Sequence, residues 1–91
     1  MAYRVRHIEA TPNPNAHKFI LDKMIAEQPT SFRDQASADA AAGDFPLAQR
    51  LFQIKGVNGL LFLGDFVTIN KSPEANWADI SKHVRTALAE E

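Results

Sequence analysis

The side chains able to do chemistry in this chain of 91 residues are few, and their spacing excludes most reaction classes. There is no cysteine, which removes thiol nucleophiles, disulfides and thiolate metal ligands drawn from the chain's own residues. The three histidines are His7, His17 and His83. They show no HxH, HxxxH or ExxH spacing, the patterns that bring two metal ligands onto one face of an element. His7 lies among strand-like residues. His83 follows Asp79 by four residues, the spacing of a surface pair on a helix. Each histidine is therefore read as solvated or satisfied, and no metal site is expected. No serine sits in a GxSxG elbow. The four glycines, Gly43, Gly56, Gly59 and Gly64, form neither a phosphate loop nor a dinucleotide fingerprint. Carboxylates are plentiful, but an acid and base pair needs a pocket that a single small sheet with two or three helices rarely encloses. The sequence thus predicts no catalytic residue and no resident cofactor.

One segment exceeds what a connection requires, the run Thr11-Pro12-Asn13-Pro14-Asn15. Its two prolines fix φ and remove two amide donors, so neither a helix nor a central strand can run through it. Asn13 and Asn15 can bond their own backbone and stiffen the turn. The same residues also make a preorganised polar ledge for a partner, with Lys18 close behind. Trp77 and Phe66 are read as core or edge-of-core residues, not exposed anchors.

The elements that must position these residues follow from periodicity and breakers. Tyr3 to Glu9 alternates Tyr3, Val5 and His7 against Arg4, Arg6 and Ile8, as a strand with one wet face does. His17 to Leu21 reads as a second strand, folded back antiparallel by the proline turn. Asp22 to Asp44 is the least legible stretch. Thr30 to Arg33 suits a short strand, while Ser37 to Gly43 has helix propensity without a large apolar anchor, which leaves a short helix or a mobile loop open. Pro46 fits a first helical position, Leu47, Leu51 and Ile54 keep helical spacing, and Gly56 fits the left-handed residue beyond the end. The apolar run Val57 to Leu63, the pair Gly64-Asp65 and the run Phe66 to Lys71 form a hairpin signature with a two-residue turn of the II′ kind. The first arm is apolar on both faces, which places it inside the sheet. Ser72-Pro73 ends the second arm. A last helix is capped by Asn76, with Asp79 three residues on, and carries Trp77, Ile80, Val84 and Leu88 in one stripe. Glu90 and Glu91 oppose the helix dipole, so its end should fray.

These elements predict an α+β fold in one domain over residues 1–91: an antiparallel sheet of about four strands with two or three helices on it, in the order β-β-(β)-α-β-β-α. Ten Lys and Arg balance eleven Asp and Glu, for a net charge of −1. That balance gives no basic excess for a nucleic acid and no cationic face for an anionic membrane. No apolar run approaches the ~20 residues of a membrane helix, and no apolar segment follows the first charged residues as in a signal peptide. A cytoplasmic location is the expectation.

The run Thr11-Pro12-Asn13-Pro14-Asn15-Ala16-His17-Lys18-Phe19 resembles the opening of the N-terminal domain of NifU/Nfu-type iron–sulfur scaffold proteins. The resemblance continues through Pro46-Leu47-Ala48, the segment from Leu51 to Val57, the hairpin from Leu61 to Ile69, and on to Lys71 and Trp77. Asp44-Phe45 departs from it, since a capping serine is expected beside Pro46. The resemblance implies a compact fold with an antiparallel sheet. It also implies that the cluster is held by a Cys-x-x-Cys pair in a second domain, which these 91 residues do not include. Because iron–sulfur clusters are held mostly by Cys thiolates, cluster binding is not carried over to this chain. What is carried over is a stand-alone adaptor role, non-enzymatic, docking a protein partner that is a cluster carrier or client. The expected partner-binding residues are Thr11, Asn13, Asn15 and Lys18, with the hairpin tip Gly64 and Asp65. Two rival readings stay open. One is a small-ligand site or enzyme pocket beside the sheet, lined by His17 or Asp65. The other is weak iron binding through carboxylates and histidine.

Overall fold

The computed structural model describes residues 3–40, 43 and 45–90. Five strands and three helices follow one another as β1 (Val5–Ala10), β2 (Ala16–Leu21), β3 (Ala26–Phe32), α1 (Gln35–Ala40), α2 (Pro46–Phe52), β4 (Val57–Gly64), β5 (Phe66–Lys71) and α3 (Trp77–Glu90). The strands form one antiparallel sheet in the order β1-β2-β5-β4-β3. The expected α+β class holds, with one strand and one helix more than the plainest sequence reading. The added strand β3 runs from Ala26, well before Thr30, and pairs with β4. Pro29 interrupts its propensity but costs little there, because β3 is an edge strand and Pro29 falls in the register shift between Ala26 and Thr30. Helix α1 takes the helical option for its segment. Asp34 fixes its start by accepting the Ser37 amide at 2.9 Å, and this bond holds the Asp34 carboxyl below its ordinary pKa. The predicted end of that segment, residues 41, 42 and 44, lies outside the described residues, as does Glu91 at the chain end.

One face of the sheet makes the core. Phe19, Leu21, Leu60, Phe62, Val67 and Ile69 meet Leu47 and Leu51 of α2 and Ile80, Val84 and Leu88 of α3. Burial of these side chains supplies the dominant favourable term for folding. The expected alternation of β1 fails at one point. A bulge between Val5 and His7 turns both Val5 and Ile8 to the core side and leaves His7 exposed beside Glu9, 2.9 Å away. The hairpin forms as expected, with Gly64 at φ +58° and Leu63 paired with Phe66 across the turn. Gly56 is left-handed at φ +99°, as expected of the residue past α2. In α3 the Asn76 Oδ1 accepts the Ala78 amide at 2.7 Å. His83 does not pair with the Asp79 carboxylate. Its Nδ1 lies 2.8 Å from the Asp79 backbone oxygen, which is within easier reach along the helix.

The opposite face carries no described helix. Register with the buried residues puts Ile20, Leu61, Leu63 and Phe66 there, all half-buried and none part of the core cluster. Phe66 is thus not a core residue. The Lys18 ammonium lies over its ring, 4.2 Å from the centroid, and shields it.

Candidate functional site

The Thr11–Asn15 turn is locked from within. The Thr11 hydroxyl lies 2.8 Å from the Ala16 oxygen and 2.9 Å from the Asn13 oxygen, and the two share its single proton. Asn13 Oδ1 accepts the Asn15 amide at 2.9 Å, an Asx turn, and the Ala16 amide reaches the Asn13 oxygen at 3.0 Å. The two prolines remove donors that would otherwise need partners.

The turn is held against the rest of the molecule by Lys71, at the end of β5. Lys71 is 8% exposed. Its Nζ donates to Asn15 Oδ1 at 3.0 Å and to the backbone oxygens of Ser72 and Pro73 at 3.3 and 3.4 Å. Three acceptors for three N–H groups make a buried ammonium tolerable. Beside it the His17 ring stacks on Trp77, with centroids 4.0 Å apart and planes 5° from parallel. The indole Nε1 donates to the Pro14 oxygen at 3.0 Å. Trp77 is therefore the half-buried edge-of-core residue expected, and it also ties α3 to the proline turn. Burial, and then the Lys71 charge, push the His17 pKa below its ordinary value, so this ring is neutral near pH 7.

The predicted site residues do not form one cluster. Thr11, Asn13 and Asn15 share the turn, with Thr11 spent on holding it. Lys18 lies on the uncovered face. Gly64 and Asp65 sit at the other end of β5, since β2 pairs Ala16 with Asn70 and Ile20 with Phe66. Five residues of strand separate the two ends, about 17 Å at ~3.4 Å per residue. The tip has backbone work of its own, because the Asp65 oxygen accepts from Leu21 and the Gly64 oxygen from Ile25.

A cleft of ≈ 760 Å³ opens between the turn and the ends of β3, β4 and β5. Asn13, Asn15, Asn58, Asn70, Ser31 and Arg33 contribute its polar lining. Four of these, Asn58, Asn70, Ser31 and Arg33, are not among the residues the sequence marks as a site. Lys71 was noted only as part of the family resemblance. A signal for Lys71 was present: it keeps the parity of the buried Val67 and Ile69, and a lysine at a core-facing position is rare without partners. For the other four no sequence signal existed, since they meet only through sheet register. A larger groove of ≈ 940 Å³ runs between the end of α2 and α3, lined by Ile54, Ala75, Ile80 and Ala87 with Glu74 and His83. Neither cavity is lined by His17 or Asp65.

Among the described residues no three His, Asp or Glu side chains converge to hold a metal ion. With no thiolate in the chain, the residues present do not fit an iron–sulfur cluster. Among the described residues no helix is long and apolar enough to cross a membrane.

Residues 5–91 match the family described as scaffold protein Nfu/NifU N terminal. The human mitochondrial NFU1 iron-sulfur cluster scaffold homolog is 40% identical over 76 residues, covering 82% of this chain and 29% of that protein. A NifU-like protein of Schizosaccharomyces pombe is 35% identical over 82 residues, covering 90% of this chain and 31% of that one. The chain thus spans less than a third of the length of these relatives. The solution structure of a NifU-like protein from Saccharomyces cerevisiae superposes with a TM-score of 0.77 at 28% identity, covering 96% of this chain and 78% of that one.

Proposed function

Because this chain belongs to the scaffold protein Nfu/NifU N-terminal family, we propose that it is an accessory domain of iron–sulfur cluster assembly that acts by protein–protein contact. The reading holds that the domain performs no chemical step and docks a cluster carrier or client. One observation carries it. The Thr11–Asn15 turn is rigid before any partner arrives, fixed by its own hydrogen bonds and by Lys71 and Trp77. A surface already ordered loses little conformational entropy on docking, which favours binding. Pro12, Asn13 and Pro14 are exposed on it. The cysteine-free composition supports the same division of labour, with cluster ligands supplied by the partner or by another part of a longer protein.

Affinity capture from the native host tests the proposal. The wild-type domain is expected to retain iron–sulfur proteins. The Asn13→Ala/Lys18→Glu double variant, shown to be folded by its melting curve, is expected to lose them. Retention of the same proteins by both would count against this surface. A wild-type domain that retains no iron–sulfur protein would remove the adaptor reading.

A further inference from the structure

The cleft beside the turn has a one-sided chemistry. Asn13 Oδ1 and Asn15 Oδ1 are each committed to a donor, the Asn15 amide and the Lys71 ammonium. Their orientation is therefore forced, and the Nδ2 donors of each are left without a hydrogen bond to a described residue. Asn70 is half-buried, and its side chain makes no hydrogen bond to a described residue. It lies across the backbone of Gly59, where an added Cβ would come within 3.3 Å of its Nδ2. Asn58, Ser31 and Arg33 are exposed, and their side chains likewise make no hydrogen bond to a described residue. The charged groups lining the cleft are Arg33 and Lys71, both cations; no carboxylate among the described residues lines it, and the nearest in sequence, Asp34, interacts with the Arg33 charge while accepting from Ser37. Lys71 spends its protons inward on neutral oxygens, so its charge is not cancelled by an ion pair.

The cleft opens onto the uncovered face of the sheet. Leu61 belongs to both, and Leu63 and Ile20 continue away from it along the strands, with Thr68 beside Leu61 and the Lys18 ammonium over the Phe66 ring. A donor-rich, positive end thus leads onto the half-buried leucines of the uncovered face. From this we infer that the face binds an extended peptide segment with apolar side chains on Leu61 and Leu63, running up to the Lys18-covered ring of Phe66, and a carboxylate in the cleft, against Arg33 and the asparagine amides. Side-chain amides pair with peptide groups in both senses, so Asn58 and Asn70 hold the backbone of the segment while Arg33 takes its charge. The volume lies within the range of ligand-sized sites, and its openness to the sheet suits a segment longer than the cleft itself. The inference rests on the adaptor reading and gives it a ligand class.

Peptide titration followed by amide NMR tests it on the 91-residue chain. The probe is an acetylated, amidated ten-residue peptide alternating leucine and serine and ending in two aspartates. Its controls are the same peptide ending in two asparagines, and inorganic phosphate. The expected result is saturable shifts at the Asn58 and Asn70 side-chain amides and along Leu61 to Phe66 with the acidic peptide. The asparagine control should bind at least fivefold more weakly, as should the acidic peptide to Arg33→Ala or Asn70→Ala. Equal binding of both peptides overturns the role of the carboxylate. Phosphate that reproduces the cleft shifts, while the peptide leaves Leu61 to Phe66 unmoved, overturns the peptide track in favour of a simple anion site. No shift with any probe overturns the site. If Arg33→Ala loses the peptide yet still captures iron–sulfur proteins, this cleft is not the docking route and the adaptor reading stands. If capture fails while the peptide binds, the adaptor reading falls and the cleft remains.

Discussion

Lys71 ties the end of β5 to the Thr11–Asn15 turn and to the segment after it, so the effect of its loss is readily predicted. Its three donors serve Asn15 Oδ1 and two backbone oxygens, and its ammonium lies 5.9 Å from the Trp77 ring centroid. Lys71→Met keeps the length of the side chain but leaves those acceptors without a donor. A loss of about 1–3 kcal/mol is expected in urea unfolding, the cost of unsatisfied buried polar groups. The neighbouring His17 gives a pH prediction. Its folded pKa lies below the unfolded value, by burial first and by the Lys71 charge second. The unfolded chain therefore binds the proton first as pH falls, and stability present above the unfolded pKa of ~6.5 is lost on acidification toward the folded pKa. NMR titration of the His17 ring should give a midpoint below 6.5, and one closer to it in Lys71→Met. A midpoint above ~6.5 in the wild-type protein would contradict both causes. At this scale the sequence was partly legible. The proline and asparagine run declared a stiff turn because its residues act on their own backbone. Its anchors, Lys71, Trp77 and Pro14, lie up to 63 residues apart in the chain, and only folding brings them into contact.

The elements show the same division between local and long-range information. Helices α2 and α3 and the β4–β5 hairpin were legible because their caps, stripes and turn residues lie within a few positions of one another. The strand β3 was legible only at its end, since Glu27-Gln28-Pro29 carries little β propensity and its pairing with β4 is set by the partner strand. The bulge in β1 was not legible, because one inserted residue exchanges faces without changing composition. The two left-handed glycines give a graded prediction. A Cβ at Gly64 would meet nothing within 4 Å, so Gly64→Ala is expected to cost only the left-handed backbone, about 1–2 kcal/mol. A Cβ at Gly56 would lie 2.7 Å from the Ala75 Cβ and 3.3 Å from Ile80 Cδ1, at the junction of α2, β4 and α3. Both contacts leave little room to relax, because Ile80 is 1% exposed. Gly56→Ala should therefore cost clearly more than Gly64→Ala in matched urea melts. Equal losses would mean that the approach of Ala75 to Gly56 yields without cost.

Among the described residues one face of the sheet is covered and the other is not, and the proposed docking of an extended segment rests on this asymmetry. Helices cover the side bearing Leu60, Phe62, Val67 and Ile69, and no described element covers the side bearing Leu61, Leu63 and Phe66. Neighbouring leucines on β4 measure the difference. Leu60 is 2% exposed and packs in the core, while Leu61 is half-buried on the other face. Leu60→Ala should cost about 2–5 kcal/mol, as cavity-forming leucine truncations do. Leu61→Ala removes the same atoms from a site that water already reaches, so its cost should stay near the ~0.5 kcal/mol of ordinary surface changes and below ~1 kcal/mol. The order should invert for binding. Leu61→Ala should weaken capture of partner proteins at concentrations where the variant is fully folded, because its lost contacts are those a docked segment would make. Paired denaturant curves and capture assays on the two variants read both quantities. A Leu61→Ala variant as unstable as Leu60→Ala would mean that the chain itself covers this face. One that is stable and still captures every partner would move the interface away from the sheet.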